Sequence, residues 1–143
     1  MILLSSIFAT LLMTGFSYLC GYFTRHRFRE PELLNQLINT SFLPVNSRKS
    51  SWIGWVVHFL IGLLFAEILF LILKYTNLSP NSLFAVIGGT IAGIIGIFGW
   101  QIMFTSNPSP PETHLDKFYF QLIIAHIIFC ISFILFNFSF SLN

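Results

Sequence analysis

The sequence predicts an all-α integral membrane protein, a four-helix bundle with one short amphipathic helix on the cytoplasmic side. Three observations carry this. Of the 143 residues 55% are hydrophobic and only 8% charged, with a mean hydropathy of +0.81, whereas a soluble domain is about one-quarter charged. Four apolar runs each reach the roughly 20 residues that a helix needs to cross a hydrocarbon core. These runs do not alternate as the strands of a membrane barrel would, and a helix satisfies its own backbone groups in lipid. The chain reads as a single membrane domain.

The spans fall at about residues 2–23, 52–73, 83–104 and 118–138. The first has no Lys or Arg ahead of its apolar part, and Ser17-Tyr18-Leu19-Cys20 lacks the small residue expected before a lipoprotein cysteine, so it is read as an uncleaved helix. In the segment after it, Glu30-Pro31-Glu32 places proline in a first turn and acidic residues against the positive helix end. Leu33, Leu34, Leu37, Ile38 and Phe42 follow at helical spacing, opposite Asn35, Gln36 and Asn39, which predicts a surface helix over about 31–42 ended by Pro44. Such a helix is either an interfacial anchor or a docking site for a partner helix. Asn107-Pro108-Ser109-Pro110-Pro111-Glu112 reads as a short rigid connector.

Six of the seven basic residues set the orientation. Arg25, Arg27, Arg29, Arg48 and Lys49 lie between the first two spans and Lys117 between the last two, while Lys74 alone flanks the middle loop. The positive-inside rule makes the six-cation side cytoplasmic and puts both termini on the other side, in a bacterial inner membrane. Trp52, Trp55 and Trp100 then fall at cytoplasmic span ends, as interfacial tryptophans do. A net charge of +2 leaves too little basic surface for nucleic acid. Cys20 and Cys130 stand inside apolar runs without metal-ligand spacing and read as small buried hydrophobes. The dinucleotide, P-loop, zinc-protease and nucleophile-elbow signatures are absent from the sequence.

The residues Ala9 to Tyr18, then Glu30-Pro31-Glu32-Leu33-Leu34, then Gly54-Trp55-Val56-Val57-His58-Phe59-Leu60-Ile61-Gly62 resemble small uncharacterised bacterial multi-pass proteins with four membrane helices. The resemblance covers the first half of the chain. It implies the same four-span fold and brings no activity with it.

Three groups of residues are candidates for function. Gly88, Gly89, Ala92, Gly93, Gly96 and Gly99 make the third span a small-residue surface that lets another backbone approach, either within the bundle or in self-association. Thr10, Thr14, Ser17 and Gly21 form a stripe on the first span that is its natural partner. His58 and His126 lie on parallel spans at similar distances from their starting ends, so they are expected inward and near one level, bonded to hydroxyls such as Ser17 or Tyr18, or sharing a small ligand or haem. Zinc is disfavoured for want of further ligands at that depth. Glu67, the one acidic residue inside a span, sits roughly opposite His58 on its helix, with Thr10 and Thr90 as candidate partners, either as a structural hydrogen bond or as part of a proton or cation pathway.

The leading functional expectation is a non-enzymatic membrane protein that packs with itself or serves as a small subunit of a larger membrane complex. The alternatives are a haem- or small-ligand-binding protein using His58 and His126, and a small transporter using Glu67.

Overall fold

The computed structural model describes residues 1–42 and 45–139 and contains five helices: α1 (Ile2–Thr24), α2 (Glu30–Asn39), α3 (Trp52–Tyr75), α4 (Ser82–Thr105) and α5 (Leu115–Ser139). Four of them, all but α2, are long and apolar enough to cross a membrane. Side-chain oxygens close two of the starts, Ser51 accepting from the Ile53 amide and Asn81 from the Phe84 amide, as N-caps do. The α5 helix begins three residues before its apolar run, because a helix continues into the polar boundary as long as its backbone bonds can form; Phe118 N already donates to His114 O.

The spans stand in the order α4, α5, α1, α3, each packed on the next, with α2 folded against α3. The most hydrophobic stretch of α5 is 56% buried, against 22% for α3 and for α4. Thus α5 and α1 form the middle of the row, while α3 and α4 are its outer walls. The walls face each other along an open side, where they meet at Gly88 and Leu69.

Small residues decide the order. A side chain at Gly89 would strike the backbone of Ile127, and one at Gly93 would lie 2.8 Å from Ile123 Cα, so α4 lies directly on the α5 backbone. The sequence pairs that surface with the Thr10–Gly21 stripe of α1; the structure instead turns the stripe toward α3 and α5. Gly62 of α3 leaves the space that the Thr10 side chain fills, and Thr14 reaches His58. Matching a hydroxyl ridge to a glycine notch proved more favourable than packing two small-residue faces together, because it fills volume.

The α2 helix departs from a free surface helix. It ends at Asn39, and Phe42, expected on its apolar face, is 88% exposed; the expected stop at Pro44 lies outside the described residues. Leu33, Leu34 and Leu37 are buried, but so are Glu30 and Asn35. Asn35 binds the returning chain on four sides. Its Oδ1 accepts from Ser47 Oγ at 2.6 Å and from Gly54 N at 2.7 Å, and its Nδ2 donates to Lys49 O and Ser51 O. Gly54 makes the approach possible, since a Cβ there would lie 2.8 Å from Asn35 Cγ. Glu32 ties the same corner together through Arg29 at 3.0 Å and Lys49 at 3.3 Å. Trp100, placed by the sequence among the interfacial tryptophans, is only 7% exposed and packs edge-on against Phe118 at 5.1 Å, whereas Trp52 is 71% exposed.

Candidate functional site: a side-open groove

The space between α3 and α4 is a cavity of about 780 Å³. It runs from the Asn77–Asn81 loop at one end to Glu30 and Leu34 of α2 at the other, with Met13, Leu122 and Phe129 of the middle helices as its floor. Its walls are almost wholly aliphatic and aromatic. Gly88, Gly96 and Gly99 widen it, whereas Gly89 and Gly93 are turned to α5. The glycines of α4 therefore serve two purposes: one edge gives close packing, and the other gives room.

Three buried polar side chains line the groove: Glu30, His58 and His126. The protons on both imidazoles follow from their neighbours. Thr14 Oγ1 lies 2.7 Å from Thr10 O, a contact that uses its single proton, so the 2.9 Å contact with His58 Nε2 must be an N–H donated by the histidine. His126 Nδ1 lies 2.8 Å from Leu122 O and carries the hydrogen there. In the neutral rings the lone pairs are then at His58 Nδ1 and His126 Nε2, and neither atom has a hydrogen-bond partner among the described residues. Gly96 gives His126 its place, because a Cβ there would lie 3.0 Å from Cε1 of the ring.

His126 packs edge-on against Phe65 at 5.4 Å, a residue two turns beyond His58 on α3.

At the α2 end, Glu30 is fully buried. Ser17 Oγ donates to Glu30 Oε1 at 2.5 Å, and Gln121 Nε2 donates to Ser17 Oγ at 2.5 Å, joining α1, α2 and α5. Glu30 Oε2 and Gln121 Oε1 have no hydrogen-bond partner among the described residues. Burial pushes the Glu30 carboxyl up to about 7, against the lowering effect of the Ser17 and Gln121 hydrogen bonds. Sequence reasoning passed over Glu30, because an acid at a helix start is fully explained by the helix end. The chain matches no family model, no curated protein and no solved structure.

The remaining candidates are placed elsewhere. Ser17 bonds Glu30 rather than a histidine, and Tyr18 lies outside the groove with the Arg29 guanidinium 5.0 Å from its ring centre. Glu67 is on the exposed face of α3. Thr10 and Thr90 donate to Ser6 O and Val86 O on their own helices, so the structure does not bring these three together. Among the described residues there is no group of three or more His, Cys, Asp or Glu that could hold a metal ion.

Proposed function

We propose that this protein binds a single amphiphile of the bilayer in the groove between α3 and α4, its hydrocarbon tail toward the Asn81 end and its polar head among His126, His58 and Glu30. The observation that carries this is one continuous cavity with an apolar middle, closed by the exposed loop residues Asn77, Ser79 and Asn81 at one end and holding three buried polar side chains toward the other. Buried polar groups left without partners in lipid are costly, and a ligand head relieves that cost. The small-residue surface that suggested self-association is largely used within the chain, on α5, so ligand binding outranks assembly as a reading. The same proposal sets the α2 end in the bacterial cytoplasm and both termini outside, supported by the six cations gathered there.

Occupancy is tested by native mass spectrometry of protein purified in mild detergent. One amphiphile per chain is expected. A Cβ at Gly99 would meet nothing within 4 Å, so Gly99→Phe should fill the groove, keep the fold and reduce the retained amphiphile several-fold. Equal retention by both proteins would remove the groove as the site. Orientation is tested with Arg48→Cys in a Cys20→Ala, Cys130→Ala background. An impermeant thiol reagent should label it only after the membrane is opened, and labelling in intact cells would reverse the topology.

A further inference from the structure

We infer that the ligand of this groove carries O–H or N–H donors on its head, as a hydroxylated or amine-bearing amphiphile does, and that anionic heads are disfavoured. The inference rests on the groove being the binding site. It comes from the sum of free donors and acceptors at the α2 half. Among the described residues His58 Nδ1 and His126 Nε2 are acceptors without partners, and Glu30 Oε2, likewise without a partner, joins them when the carboxyl is ionised. Against them, at that half of the groove, stands the Trp100 indole N–H; the donors of Asn77, Ser79 and Asn81 line the opposite end, and the lining contains no Lys or Arg.

An anionic phosphate or carboxylate placed there would set its oxygens against lone pairs in a medium of low dielectric, with no cation to compensate. A hydroxyl does the reverse. It donates to an imidazole lone pair and can accept from Trp100, while an ammonium donates to an imidazole lone pair and gains further when Glu30 is ionised. Two imidazole acceptors line this half of the groove, so a head with two or more donors satisfies them better than one with a single donor.

The test compares three amphiphiles with the same twelve-carbon acyl or alkyl chain: monolauroylglycerol, dodecylamine and dodecyl phosphate. Each is titrated at pH 7.5 into the protein in uncharged detergent, with bound ligand counted by native mass spectrometry. The first two are expected to bind about tenfold tighter than the phosphate, roughly the effect of one buried acceptor satisfied rather than orphaned. His126→Leu should shrink that ratio several-fold. His126→Gln, which adds an amide donor beside an acceptor, provides the same readout if leucine disturbs folding. Equal or tighter binding of the phosphate, or a ratio unmoved by both variants, would overturn the inference and leave the groove reading in place. Failure of all three to bind, or binding unchanged in Gly99→Phe, would overturn both.

Discussion

Leucine at Gly89 is expected to prevent α4 from docking on α5 and so to unfold the protein or leave it unextractable as a monodisperse species. A Cβ at this position would lie 2.5 Å from Ile127 Cα and 2.9 Å from both His126 O and Ile127 N. These are backbone atoms of a helix, which cannot rotate away as a side chain can. Relief requires moving one whole helix from the other, and that also opens the floor of the groove at His126. Overpacking in a well-packed interior commonly costs about 1 to 3 kcal/mol, and a clash with backbone on both sides belongs at or beyond the upper end. Even alanine should be damaging here. Two controls separate this from a general effect of bulk: Gly99→Leu, where a Cβ would meet nothing within 4 Å, and Ile94→Leu on a face that is 43% exposed. Both should retain the thermal midpoint of the parent in detergent. A Gly89→Leu protein melting within about 2 °C of the parent would mean that α4 does not rest on α5 at this point.

The spans were legible because length and apolarity are properties of contiguous sequence and the bilayer imposes one thickness on all of them. Their mutual arrangement was less so. A stripe such as Thr10, Thr14, Ser17 and Gly21 reveals that something approaches closely, but the identity of the neighbour depends on which opposing surface is complementary. That information was divided between Gly62 and His58 on another helix. The small residues of α4 were read as one packing surface, yet helical periodicity alone does not tell which glycines press on a neighbour and which, like Gly88 and Gly99, leave space.

Polar residues were harder still. Asn35 sits on the polar side of a helical wheel, and a wheel has only two sides, buried and exposed. Its burial arises from the chain at Ser47–Gly54 closing over it, a contact set by tertiary structure. Glu30 was hidden because the positive helix end already accounts for an acid at that position. The histidines, in contrast, were expected inward and are 5% and 6% exposed, because imidazole in lipid is unfavourable wherever the neighbours lie. Burial of such a group can be argued from its chemistry; its partner, Thr14 for one ring and a carbonyl of its own helix for the other, cannot.

Glu30 should make the stability of the protein fall as pH rises. Its carboxyl is fully buried, and burial raises it from the ordinary 4.5 to about 7. The folded chain therefore holds this proton more tightly than the unfolded chain. The associated stabilisation is fully present below about pH 4.5 and is lost as pH rises through about 7. With each unit equivalent to about 1.4 kcal/mol, the whole difference is on the order of 3 kcal/mol. Of the groups in contact with the carboxyl or feeling its charge, Ser17 and Gln121 do not titrate and Tyr18 and Cys20 of α1 have ordinary values of 10 and 9; the groove histidines, which do titrate in this window, act alike in the parent and in a Glu30 variant. Glu30→Gln keeps a neutral hydrogen-bonding group of nearly the same shape, and the thermal midpoint of the parent relative to this variant, measured in detergent, is expected to be lower at pH 8 than at pH 5.5. Since the histidines are present in both proteins, the difference between the two slopes isolates the carboxyl. Parallel slopes would show that Glu30 takes up no extra proton on folding, and that its charge is met at the groove by a partner other than Ser17 and Gln121.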